Sequence, residues 1–191
     1  MNLLLKEFAK HIKLDPEEQI YILTLMEIKN YKAKTFLLKE GETCLYFYFV
    51  TKGALCGFFS DNNKIEKVIR LATPGRWITD FKSFHNQVPS HFHLKTLADS
   101  EIMLLSIENY EKLFRAIPKL ERYFRLMICE VLADATDRIK DNLLLTAEER
   151  YDKFITSFPD LAYQISQKYI ASYITVTPEF LSKIKSRQFK K

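Results

Sequence analysis

The chain is poor in residues that interrupt regular structure: its 191 positions hold four glycines and six prolines. Long irregular linkers are therefore not expected. Cysteine is scarce too. Cys44, Cys56 and Cys129 are three, widely spaced and without a CxxC pair. An odd, scattered set argues against a disulfide framework or a zinc cluster and fits buried thiols in a reducing compartment. No apolar run approaches the ~20 residues that span a bilayer. Residues Met1–Lys13 interrupt their short apolar runs with Lys6, Glu7, Lys10, His11 and Lys13, so they lack the core of a secretory signal. A cytoplasmic location and no membrane partner are expected. No P-loop, dinucleotide fingerprint or spaced Ser/His/Asp set is present, so no catalytic residue and no enzyme activity are expected.

What is abundant is core material. Hydrophobic residues make up 47% and aromatics 14% of the chain, which is ample for a packed core and argues against disorder. Asp15-Pro16-Glu17-Glu18 reads as a capped helix start. From Tyr31 to Leu105 the pattern changes. Short β-branched and aromatic runs (Thr35–Leu38, Leu45–Thr51, Ala54–Phe59, Lys64–Leu71, His91–Leu97, Ile102–Leu105) alternate with turn signals such as Lys52-Gly53 and Thr73-Pro74-Gly75. That spacing predicts an antiparallel sandwich or barrel. Ser106 caps a helix to about Ala116. Pro118 opens the longest helical pattern, running to about Asn142. Along it Leu120, Phe124, Met127, Val131 and Ala135 approximate a heptad seam, and a second stripe, Tyr123, Ile128, Leu132, Ile139 and Leu143, is left to pack against the chain's own domains. A helix of about 25 residues is about 37 Å long, too long for a small domain to bury alone, so two such helices are expected to pair. Thr146-Ala147-Glu148-Glu149 is another capping box.

The net charge is +5, and much of it sits at the end: Lys183, Lys185, Arg187, Lys190 and Lys191 oppose only Glu179 from Pro178 onward. A basic stripe of this kind suits a polyanion. In the same region Gln167–Tyr173 forms one short helix and Ile174-Thr175-Val176 a turn. A second helix follows, with Thr177 as cap and Pro178 in its first turn. Ile170, Ala171, Ile174, Val176, Leu181 and Ile184 supply a small shared core. This is the arrangement of a helix-turn-helix, whose second helix enters the major groove leading end first. Glu179, Ser182 and Lys183 then face base edges. Lys185, Ser186 and Arg187 lie further along, towards phosphates. On the first helix Lys168, Tyr169 and Ser172 are expected at the DNA backbone, and Thr177 at the junction.

Taken together, these segments resemble the Crp/Fnr family of bacterial transcription regulators. The resemblance rests on Tyr31–Glu42, Tyr48–Ala54, Pro74–Ile78, Thr146–Tyr151, Gln167–Tyr173 and Ser182–Ile184. It implies an α+β chain. Residues 1–116 would be an N-terminal antiparallel β-roll of the cyclic-nucleotide-binding-like double-stranded β-helix type, 117–143 a long dimerisation helix, and 144–191 a C-terminal helix-turn-helix domain. Because the sequence stops soon after the recognition helix, a reduced or absent wing is expected. Double-stranded DNA and a second copy of the chain are implied as partners, with RNA polymerase as a further one. The resemblance also implies an effector in the roll, with Trp77, Asp80, Phe81, Ser90 and His91 as candidate pocket residues. The family's cyclic-AMP cassette carries Gly-Glu and then Arg-Ser-Ala. Here the matching stretch reads Thr79-Asp80 and then Pro89-Ser90-His91, so the arginine slot holds proline and cyclic AMP is not expected. No cofactor is expected, and without a cysteine before Cys44 the family's iron–sulfur sensor is excluded.

Two other readings compete. A cupin-like metal enzyme would use His91 and His93, with His85 nearby, but the positions for its carboxylate hold Leu97 and Ala98. A roll that senses a ligand and acts through a protein partner would not need the basic second helix.

Overall fold

The computed structural model describes residues 2–188, so Lys190 and Lys191 of the basic tail lie outside the described residues. In chain order the elements are α1 (Leu3–Ala9), α2 (Pro16–Thr24), β1 (Glu27–Tyr31), β2 (Phe36–Leu38), β3 (Tyr46–Lys52) and β4 (Leu55–Ser60). They continue with β5 (Glu66–Ala72), β6 (Trp77–Ile78), α3 (Phe81–Asn86), β7 (His93–Thr96), β8 (Ser100–Ser106) and α4 (Ile107–Ala116). The last five are α5 (Leu120–Leu144), α6 (Ala147–Ser157), α7 (Leu161–Gln164), α8 (Gln167–Tyr173) and α9 (Pro178–Gln188).

The helix starts follow the caps in the sequence. Asp15 with Glu18, and Thr146 with Glu149, form reciprocal capping boxes, and Ser106 accepts from the Asn109 amide. Five elements were not anticipated, one of them the single turn α7. The mixed N-terminus is an amphipathic helix, α1, which Asn2 caps and whose Leu4, Leu5 and Phe8 are buried. The remaining three are β1, a mostly exposed edge strand, the two-residue β6, and α3.

Two four-stranded antiparallel sheets, ordered β1-β8-β3-β6 and β2-β7-β4-β5, form the roll. Alternation along β3 sends its side chains two ways. Phe47 and Phe49 face the helices: Phe47 stacks on Tyr110 at 5.6 Å and meets Phe124 edge-on at 5.8 Å, while Phe49 lies against Trp77. Tyr48 points into the roll, where its hydroxyl donates to the Leu37 carbonyl at 3.1 Å. Gly57 in β4 leaves room for the Phe92 ring, since a Cβ there would lie 2.5 Å from it. The outer face of the second sheet is covered as well: Cys56, Phe58 and Val68 share one buried cluster with Tyr151, Phe154, Tyr169, Ile170 and Ala171 of the C-terminal helices.

The long helix corrects the expected seam. Leu120, Phe124 and Met127 are buried in the chain's own core with Phe47 and Trp77. The open side carries Leu132, Ile139 and Leu143, which are 67%, 62% and 78% exposed, with Ile128 beside them. Val131 is half-buried and Ala135 exposed. The division runs along the helix instead of between the stripes: α1 and α4 cover its first half, burying Tyr123 of the second stripe beside Phe124 of the first, and the second half leaves Leu132, Ala135, Ile139 and Leu143 open.

Candidate nucleic-acid interface

The α8–turn–α9 unit is built from its small core outward. Ala171 has no exposed surface, and Ile170, Ile174, Leu181 and Ile184 are buried around it. The Val176 amide donates to the Ala171 carbonyl at 2.9 Å, which folds the turn back on α8. Thr175 takes the left-handed conformation, φ +58°, that a glycine would adopt without strain. Its hydroxyl bonds Asn142 Oδ1 at 2.8 Å, tying the turn to the end of α5. From α6, Arg150 donates to the carbonyls of Ile174 (3.0 Å) and Leu145 (2.6 Å), which fixes the unit from behind. Thr177 accepts from the Phe180 amide at 3.2 Å and so starts α9.

With Leu181 and Ile184 turned inward, α9 shows Glu179, Ser182, Lys183, Ser186 and Arg187 on its exposed side, with Thr177 at its head and Lys185 half-buried. Its own amide and the Thr177 hydroxyl hold the Glu179 carboxyl below the ordinary glutamate range. Arg187 lies 3.3 Å from Glu148. The hydroxyls of Ser182 and Ser186 donate one turn back, to Pro178 and Ser182 carbonyls. The leading end of α9 therefore offers a carboxylate, a hydroxyl oxygen as acceptor and an ammonium on one open face.

Of the first-helix residues, Tyr169 and Ser172 are turned to the roll and Lys168 stays exposed. Tyr169 is buried, Ser172 is bonded to the backbone of β5, and Lys168 is 3.4 Å from Glu66. All three are engaged by the roll because α8 lies along β5. Glu66, Lys95, Arg138 and Arg150, the charged groups that hold the motif, were missed. Their partners are backbone carbonyls and side chains far off in sequence, which no local pattern signals.

Residues 28–116 match the family described as the cyclic nucleotide-binding domain. Over 130 residues the chain is 22% identical to the cAMP-activated global transcriptional regulator CRP of Haemophilus influenzae; the match takes in 68% of this chain and 58% of that protein's length. Among solved structures it is similar to FixK2 from Bradyrhizobium japonicum, with a TM-score of 0.76 at 18% identity over 86% of this chain and 85% of that one. The c-di-GMP responsive regulator CLP of Xanthomonas campestris gives a TM-score of 0.73 at 15% identity over 92% of both chains. A protein from Eubacterium rectale assigned to the Crp/Fnr family gives 0.72 at 12% identity, over 93% of this chain and 85% of that one. The fold is that of the Crp/Fnr regulators.

Within the Crp/Fnr fold the cassette stretch runs from β6 to β7, and it is occupied by the chain's own bonds. Asp80 caps α3 by accepting from the Ser83 amide at 3.1 Å, and its other oxygen takes the Ser90 hydroxyl at 2.7 Å. Pro89 is exposed and bridges Thr43, so the side chain that meets Asp80 is Ser90. The five candidate pocket residues do not converge. Trp77 faces the helices and donates to the Tyr123 hydroxyl at 3.1 Å. Phe81 lies under the Arg70 guanidinium, 5.3 Å away, and His91 is exposed. His91 and His93 do not share a strand face: β7 begins at His93, which stacks on Phe58 at 5.0 Å. Among the described residues no group of three or more His, Cys, Asp or Glu is placed to hold a metal. A cleft of about 310 Å³ that sequence reasoning missed opens at the mouth of the roll, lined by Tyr31, Leu37, Glu42, Tyr46 and Tyr48.

Proposed function

We propose that the chain is a homodimeric, sequence-specific DNA-binding transcription regulator of Crp/Fnr type. The observation that carries this reading is the leading end of α9: Leu181 and Ile184 are spent on the motif's core, and Glu179, Ser182 and Lys183 stand on the open side. Those groups suit base edges, where a carboxylate accepts from cytosine and an ammonium donates to guanine. Residues 1–116 act as the sensor roll, 117–143 as the dimer helix and 144–191 as the DNA-binding part. Pairing runs along the exposed Ile128, Leu132, Ala135 and Ile139, whose spacing of 4, 3 and 4 is that of a coiled-coil seam. Two recognition helices then read half-sites about 34 Å apart, and RNA polymerase is the further partner such a regulator addresses. Cyclic AMP is not the effector in this reading: Asp80 and Ser90 satisfy each other, and no arginine stands where a cyclic phosphate needs a bidentate partner.

Selection of genomic fragments by purified protein, followed by gel shifts at several salt concentrations, tests this reading. Lys183→Ala is expected to relax base preference at one position per half-site and cost about 1–3 kcal/mol on the selected fragment. Unchanged affinity and preference, or no salt-sensitive binding to any fragment, would refute it.

A further inference from the structure

The first helix of the motif is clamped to the roll by polar groups. The Ser172 hydroxyl sits between two backbone groups of β5, accepting from the Val68 amide and donating to the Glu66 carbonyl, both at 2.8 Å. Beside it the Glu66 carboxylate takes the Lys95 ammonium at 2.5 Å and lies 3.4 Å from Lys168 of α8. Lys95 is only 4% exposed, with Phe58 and Tyr169 ring centroids 4.4 and 4.9 Å from its ammonium. The second Glu66 oxygen is buried without a hydrogen bond, so Lys168 reaches it only as an ion pair. From α5, Arg138 donates to the carbonyls of Val68 and Ile69 and lies over the Tyr173 ring at 4.7 Å. Beneath the clamp lies Cys56, in one buried cluster with Tyr169, Ile170 and Ala171; burial pushes its thiol up to about 12.

These are the α8 groups that a phosphate would use. One ammonium cannot serve a carboxylate and a phosphate equally, and a hydroxyl proton given to the Glu66 carbonyl is not available to DNA. We infer that β5 and DNA compete for one face of α8, so that the docked arrangement is a latched state and release of α8 from Glu66 frees the motif for DNA. The inference rests on the DNA-binding reading above. A partly buried ion pair suits a latch, because desolvation offsets much of its Coulomb gain and leaves a contact that is specific yet not strong. Arg138 gives the latch a mechanical link to the long helix.

The test uses the full-length chain with Glu66→Gln, which keeps the side chain's shape, and reads docking without DNA. Alkylation of Cys56 by N-ethylmaleimide, followed by peptide mass analysis, reports separation of α8 from the sheet. Cys44, buried in the main core, is the control. Glu66→Gln is expected to label Cys56 about 3- to 10-fold faster with Cys44 unchanged, and to bind a fragment selected by the wild type tighter by a similar factor. The selected fragment is expected to speed Cys56 labelling in the wild type. Unchanged Cys56 labelling, an equal rise at Cys44, or protection of Cys56 by DNA would each overturn the latch. Faster Cys56 labelling with no DNA binding by either protein would instead overturn the DNA reading, and the competition with it.

Discussion

Gly53 turns the chain between β3 and β4 at φ +86°, and a Cβ there would lie 2.5 Å from the Asp99 carbonyl and 2.3 Å from Ser100 Oγ. Two penalties coincide, left-handed backbone and collision with a backbone atom that cannot rotate away. Gly53→Ala is expected to destabilise the roll by at least about 1–3 kcal/mol, the usual range for such strain, and a urea midpoint equal to the wild type would contradict this. Thr175 is the opposite case. A β-branched residue holds φ +58° because its hydroxyl has partners in Asn142 and the Ile174 carbonyl. The sequence shows a missing turn glycine there; the bond to Asn142, 33 positions upstream, is what only the folded chain supplies.

At the scale of elements, α5 decides how the chain presents itself to a second copy. Its apolar residues form two stripes, and hydrophobic spacing alone does not say which part of them the chain covers for itself. Met127 belongs to the covered half and Leu132 to the open one. Met127→Glu is therefore expected to bury an unpaired charge and lower folding stability by about 3–5 kcal/mol, visible as a large fall in melting temperature. Leu132→Glu is expected to leave the monomer fold intact and dissociate the dimer, measured by light scattering at micromolar protein. A Leu132→Glu variant that stays dimeric would remove this seam from consideration. The strands and capped helices, by contrast, were readable because their signals are local: Asp15, Ser106 and Thr146 each bond within three residues. The β1 strand escaped notice because it is a polar edge with one exposed isoleucine, and β6 because two residues carry no periodicity.

Across the whole molecule, the outer face of the second sheet joins the roll to the C-terminal helices, and Glu66 is the carboxylate that pairs with Lys95 and Lys168 at that joint. Burial alone would raise its carboxyl. The Lys95 hydrogen bond and the charges of Lys95 and Lys168 outweigh burial and hold it below the ordinary glutamate value. A carboxyl lowered by folding stabilises the folded form fully above its unfolded pKa, and that contribution is lost as pH falls through the lower folded value. The stability difference between wild type and Glu66→Gln is thus expected to be full at neutral pH and to vanish on acidification. Lys95 and Lys168 are the charged groups that face the carboxylate. Parallel denaturant melts of the two proteins across acidic pH check this, and a constant difference down to the lowest pH would exclude it.

The order of local signals determined much by itself. Alternating strands, three capped helices, the long helix and the α8–turn–α9 motif all follow from patterns a few residues wide, because caps, turns and amphipathic periods act over one or two turns of chain. Tertiary structure decided which face of each element is left over. It buried Leu120, Phe124 and Met127 and left Leu132 open. It closed Asp80 on Ser90, buried Tyr169, tied Ser172 to the backbone of β5 and left Lys168 exposed beside Glu66. Those outcomes depend on contacts between residues that can be a hundred positions apart, Val68 and Ser172 among them, and such pairs share no local signature.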